Sequence, residues 1–237
     1  LAVLCQRAES EFVGMNCGIM DQFISRLGKQ SHALYLDCRS LDYQLVPFDL
    51  TGYAVVMCNS NVKRQLVDSA YNERRSQCEE GVRILKDQLG DITALRDVTS
   101  EDLEKHRGLL SPIVHQRCKH VVTEDERTTR AVAVLQAGDI AQFGELLNAS
   151  HESLQHDYEV SCAELDTLVE IARSVPGTVG SRMTGAGFGG CTVSLVKEDA
   201  IEDFKATVLE EYTKRTDITA DIYVSKAEDG ARVESVA

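Results

Sequence analysis

Residues 182–196 read RMTGAGFGGCTVSLV, and this stretch restricts the fold of the 237-residue chain more than any other. Gly185, Gly187 and Gly190 satisfy the G-x-G-x-x-G spacing of a dinucleotide-binding loop. Such a loop works when a strand precedes it and a helix N-terminus follows directly, because the helix end meets the pyrophosphate. Here the glycines run into CTVSLV, which is β-rich, so the match is formal only. No Lys-Ser or Lys-Thr follows, which excludes a P-loop. What remains is a strand, a glycine turn and a second strand. The glycines then either supply positive φ in a simple turn, or let backbone come very close to a substrate or phosphate. Gly185, Gly187, Gly189 and Gly190 crowd into six residues, more than a plain hairpin requires.

The surrounding pattern predicts an α+β architecture, helices packed on a mainly antiparallel sheet. Leu1 to Phe12 reads as helix with Leu1, Leu4, Cys5 and Ala8 on one face, and a loop spans Val13 to Cys17. A second helix runs from Gly18 to Gly28 with Ile19, Met20, Phe23, Ile24 and Leu27 as its apolar side. ALYLDCRS, YQLVPF and YAVVMCNS read as strands. Helical periodicity covers Leu66 to Leu89, Ile113 to Gln136 and Ile140 to His151, the last two broken at Gly138. Thr99 with Asp102, and Ser161 with Glu164, have the spacing of capping boxes. Strands at Gly180–Thr184 and Cys191–Val196, a helix from Ala200 to Lys214 and a last strand DIYVSKA complete the order.

Twenty-five basic against 38 acidic residues give a net charge of −13, which argues against general nucleic-acid or anionic-membrane binding. The longest apolar run, Tyr53 to Cys58, is far too short to span a bilayer. Eight scattered cysteines with no C-x-x-C pair suit reduced thiols in a cytoplasmic protein.

Asp21, in VGMNCGIMDQFIS, is hemmed in sequence by Met20, Phe23 and Ile24 at the start of a helix. It reads either as a first-turn acid favourable to the helix dipole or as a carboxylate near apolar walls, able to accept a hydroxyl proton. Spacing leaves both open. The pairs His115/His120 and His151/His156 are five apart, not at the i, i+4 spacing of a helical metal site, and read as surface or interhelical residues. Arg74 and Arg75 in NERRSQCEE read as a solvated helical face, with phosphate binding as the alternative.

CGIMDQFIS, SAYNERRSQCEE and SRMTGAGFGGCTVSLV, taken together in this order and separation, resemble galactokinase. That family belongs to the small-molecule kinases that include homoserine, mevalonate and phosphomevalonate kinases. The resemblance covers essentially the whole chain and looks closest to the animal enzymes. It implies a two-domain kinase fold of which this chain is the C-terminal portion, residues 1–48 being a remnant of the N-terminal domain and 49–237 the C-terminal domain. It implies transfer of the γ-phosphoryl group of MgATP to the C1 hydroxyl of α-D-galactose. Asp21 matches the family's catalytic aspartate, which also contacts the sugar. Tyr71 matches a sugar-contacting tyrosine, and Gly18 falls in the same substrate-binding set. Gly185, Gly187, Gly189 and Gly190 match a glycine-rich motif near the active site.

The family's upstream sugar-binding signature and its phosphate loop have no counterpart here and are expected before Leu1, together with the ligands of ATP and Mg²⁺. The fragment alone is therefore expected to be inactive, and the full-length protein to be monomeric and cytoplasmic. An N-acetylgalactosamine kinase, or a non-catalytic galactose-sensing relative, are the alternatives.

Overall fold

The computed structural model describes residues 1–14, 17–62 and 67–232, with the backbone alone of residues 67–69 and 71. Two sheets form. The smaller is a hairpin of β1 (His32–Leu36) and β2 (Tyr43–Pro47), paired antiparallel from His32↔Pro47 to Leu36↔Tyr43. The larger contains β3 (Tyr53–Asn59), β4 (Thr178–Thr184), β5 (Cys191–Lys197) and β6 (Asp221–Ser225), in the order β4-β5-β3-β6. β5 pairs antiparallel with both β3 and β4, with Asn59↔Cys191 and Thr184↔Cys191 at the glycine end.

Period-2 alternation makes β3 a strand: Ala54, Val56 and Cys58 are buried while their neighbours are only half-buried. Val56, Cys58 and Val196 of the sheet pack with Leu168 and Ile171 of α7 (Ala163–Ser174) and with Phe204, Val208 and Tyr212 of α8 (Ile201–Thr216). Burying each such large apolar side chain contributes roughly 1.5–3 kcal/mol. A second core joins α3 (Val67–Leu89), α4 (Ser100–Lys105) and α5 (Pro112–Gln136) through Leu85, Leu103, Val114, Cys118 and Val122.

β4 is a sheet edge, and a helix covers it. α6 (Ile140–Ser153) lies so close that a Cβ on Gly180 would sit 2.7 Å from the Gly144 Cα. Asn148 Oδ1 accepts from the Ser181 amide at 3.0 Å, and His151 Nδ1 accepts from the Met183 amide at 3.2 Å. Backbone groups that an edge strand would leave open are thus satisfied by α6 side chains.

By contact the chain divides into two compact units, Leu1–Thr51 with Val132–Asp139 and Ser225–Ala237, and Gly52–Ala131 with Ile140–Val224. In the first, α1 (Ala2–Arg7) runs into a wider π-type turn, Ala8–Phe12, and α2 (Met20–Leu27) ends at Gly28. The Ser31 amide donates to the Ala227 carbonyl at 3.2 Å and the Gly230 amide to the Gly28 carbonyl at 2.8 Å, tying residues 227–230 to the end of α2.

Several expectations change. The apolar face assigned to Leu1, Leu4, Cys5 and Ala8 is exposed, Leu1 by 77%, and only Ala2 of α1 is buried. The first strand stops at Leu36 because the Asp37 carboxylate accepts the Arg39 and Ser40 amides, at 2.8 and 3.1 Å, and turns the chain. Thr99 and Asp102 form their capping box. Ser161 and Glu164 do not: α7 begins one residue late with Cys162 as N-cap, and the Ser161 hydroxyl donates to Asp166 instead. The histidines keep to their reading as interhelical or surface residues: His115, His120 and His151 are buried and bridge helices to Glu104, Ser153 and Asp166, and His156 is exposed.

Candidate functional site

The glycine loop is the six-residue connection of the β4–β5 hairpin. No helix follows it, which removes the dinucleotide-loop geometry. Gly187 and Gly189 have φ of +82° and +117°, and the intervening Phe188 is also left-handed at +55°. A Cβ on Gly187 would overlap the Val160 carbonyl oxygen and lie 3.1 Å from Met183 Cε; one on Gly189 would lie 3.1 Å from the Val62 carbonyl oxygen. Among the described residues, what these two glycines approach most closely is the protein's own backbone. Phe188 donates its amide to the Val160 carbonyl at 2.8 Å, and the Gly190 carbonyl accepts from the Ser60 amide at 2.8 Å. Phe188 itself packs onto Leu154, Val160, Leu165 and Met183.

Two arginines brace the segment leading into Val160. Arg74, on α3, donates from Nε to the Tyr158 carbonyl at 2.7 Å and from Nη2 to the Glu159 carbonyl at 3.1 Å. It is not on a solvated face, as its sequence context suggested; only Arg75, paired with Glu79 at 2.8 Å, is. Arg117, on α5, reaches the same segment and was not singled out by sequence reasoning. One signal was present: Arg117 lies within the apolar stripe of Val114, Cys118 and Val122, where an arginine must be buried and paired.

Asp21 occupies the first turn of α2 and is exposed. Asp21 is among the residues lining a cavity of about 280 Å³ with Ala2, Cys5, Glu9, Gln22 and Arg26, and no side-chain hydrogen bond of Asp21 forms among the described residues. The neighbouring Gln22 donates to Glu9 at 2.7 Å. Met20 and Ile24 do not wall Asp21 off from solvent, since they share an exposed face of the helix, Met20 at 66%; only Phe23 turns inward, edge-on to Tyr43 at 6.4 Å. Gly18 is exposed with open space around it. Tyr71 lies on α3, and its side chain is outside the described residues. Asp21 and Gly18 belong to the first unit, the four glycines and Tyr71 to the second.

Among the described residues no group of three or more His, Cys, Asp or Glu side chains is placed to hold a metal ion. All eight cysteines are unpaired, and burial pushes the Cys58 thiol up to about 12. No described helix is long and apolar enough to cross a membrane.

Residues 131–214 match the family model described as GHMP kinases C terminal. The chain is 51% identical over 236 residues to a galactokinase of Chloroflexus aggregans, covering 100% of this chain and 60% of that relative. It is 49% identical over 230 residues to a galactokinase of Roseiflexus sp., covering 97% and 59%. The crystal structure of Lactococcus lactis galactokinase complexed with galactose superposes with a TM-score of 0.91 at 39% identity, covering 97% of this chain and 59% of that one. The chain thus spans about 60% of the length of the curated relatives it matches.

Proposed function

We propose that this chain, a member of the galactokinase family, is the C-terminal part of an enzyme that phosphorylates α-D-galactose at C1 with ATP. The observation that carries this reading is the homology to galactokinases along the whole chain, 51% identical in one relative, together with the fold shared with a galactose-complexed family member. Residues 1–48 are assigned to the N-terminal kinase domain and 49–237 to the C-terminal domain. The compact unit that begins Leu1–Thr51 supports a division after β2, although that unit also takes in Val132–Asp139 and Ser225–Ala237. Eight unpaired cysteines favour a cytoplasmic location.

In the reaction the C1 hydroxyl oxygen forms a bond to the γ-phosphorus of ATP while the bond to the β–γ bridging oxygen breaks, and ADP leaves. The C1 hydroxyl proton passes to a base. Such a transfer has a loose transition state, so positioning and charge dominate over covalent work by the protein. Asp21 is assigned to orient the hydroxyl and accept its proton. An exposed acid that lines a cavity is accessible to a hydroxyl group. Tyr71 and Gly18 are assigned to the sugar, and the glycine loop to the border of the reaction site. ATP and Mg²⁺ bring the transferred group and its charge neutralisation. Their ligands are assigned to the portion of the relatives' length that this chain does not span.

An assay of the whole protein with ATP and galactose tests the reading. Galactose 1-phosphate should form, with N-acetylgalactosamine a poor acceptor. Preference for the acetylated sugar, or tight galactose binding without turnover, would replace the reading by one of its two alternatives. Residues 1–237 alone should not turn over.

A further inference from the structure

We propose that Arg117 is a positioning residue for the glycine loop, acting through the turn Asp157–Val160. Its side chain is 1% exposed, and a guanidinium taken out of water is tolerated only when its donors are satisfied. Nε donates to Gln77 Oε1 at 3.1 Å, Nη1 to the Asp157 carbonyl at 2.7 Å, and Nη2 to the Glu159 carboxylate. Arg74 takes the next two carbonyls, those of Tyr158 and Glu159. The carbonyl after them, Val160, takes the Phe188 amide of the loop. Four consecutive carbonyls are thus committed, three to arginines and the fourth to the glycine loop.

The turn needs that bracing. It overlaps the end of the π-type turn Leu154–Tyr158, whose last carbonyls have no partner within the helix, and Glu159 is left-handed at φ +53°. A residue with a Cβ keeps that conformation only where its surroundings over-determine it. Val160 then meets Gly187 backbone to backbone, with no space for a Cβ between them, so a shift of the turn carries the loop with it. Arg117 thereby sets where the loop stands without being part of it. Its relevance to catalysis rests on the proposed reading that the loop borders the reaction site.

The test uses the whole protein, labelled with isotopic glycine and phenylalanine so that the Gly187 and Phe188 amide resonances report loop position. Arg117→Lys keeps the charge but loses the planar fork. Both amides should shift, kcat should fall about 10–100-fold, and the galactose KM should change little. Amides that stay in place in a folded Arg117→Lys overturn the proposal. If that variant does not fold, Glu159→Gln removes the half-exposed partner's charge and is judged by the same readings. Gly187→Ala serves as the separate arm, displacing the loop directly. Normal kcat in Gly187→Ala would take the loop out of the reaction site, and the reading of function with it. A slow Gly187→Ala beside normal Arg117→Lys and Glu159→Gln enzymes would remove Arg117 alone.

Discussion

The Phe188 amide donates to the Val160 carbonyl at 2.8 Å, and that same carbonyl leaves the adjacent Gly187 no space for a Cβ. A single backbone oxygen therefore fixes both the register and the composition of the loop. Gly187→Val adds overpacking against backbone to the strain of a β-branched residue at positive φ. It should destabilise the protein by about 2–5 kcal/mol. Gly18, with open space around it and no positive φ, is the contrast: Gly18→Ala should leave stability within about 0.5 kcal/mol. Thermal melting of both variants checks the pair, and a Gly187→Val protein as stable as Gly18→Ala would show that the loop yields.

Gly144 offers a test in which propensity and packing disagree in sign. In a helix interior, alanine is favoured over glycine by about 0.8–1 kcal/mol. At Gly144 of α6, however, a Cβ would lie 2.6 Å from Val179 Cγ1 and 2.7 Å from the Val179 carbonyl carbon. Gly144→Ala should push α6 off β4 and cost a net 1–3 kcal/mol, roughly. A stabilised variant in denaturant unfolding would mean that α6 and β4 separate freely.

His120 predicts a pH dependence. Burial, with smaller contributions from Arg127 and Arg182 against Asp157, lowers its pKa from 6.5 to about 4. The ring is held by a 3.0 Å hydrogen bond with Ser153 and stacks on Tyr158 at 4.5 Å. The unfolded chain binds a proton on this residue between those two values and the folded protein does not. Stability from this group is therefore complete above about pH 6.5, is lost as pH falls towards 4, and changes no further below that. The full loss is roughly 3 kcal/mol. Melting temperatures between pH 7 and 4 should fall less steeply in His120→Gln, and parallel curves would assign the acid sensitivity to other groups.

The sequence carried the hairpin of β4 and β5 because period-2 alternation and a glycine cluster are local signals, and the fold places both strands where they were expected. Thr99 and Asp102 were legible for the same reason, since a capping box is complete within four residues. Ser161 had the same spacing but found Asp166 five residues on, a competition that local pattern does not reveal. The pairing of Arg74 and of Arg117 was hidden because their acceptors lie 40 or more residues away in sequence, the Tyr158 and Glu159 carbonyls for Arg74 and the Asp157 carbonyl with the Gln77 and Glu159 side chains for Arg117. The exposure of Met20 and Ile24 was equally hidden: periodicity marks an apolar face without saying what covers it.

Asp21 carries the mechanism, and Asp21→Asn separates chemistry from helix stability. The substitution preserves shape and removes the charge. If the carboxylate accepts the C1 hydroxyl proton, kcat of the whole protein should fall by roughly 10²–10⁴-fold. Losing a charged hydrogen bond to the sugar should also weaken galactose binding, by about 1.5–3 kcal/mol. A first-turn acid serving only the helix dipole predicts a different pair of results, a stability loss of about 0.3–1 kcal/mol with turnover intact. The exposure of Asp21 sharpens the comparison, because an exposed carboxylate in the first turn of α2 contributes little to packing that its removal could disturb. Steady-state kinetics and thermal melting on the same preparation give both numbers. A slightly destabilised enzyme with normal kcat would place Asp21 outside the reaction, and the proton would then need another acceptor.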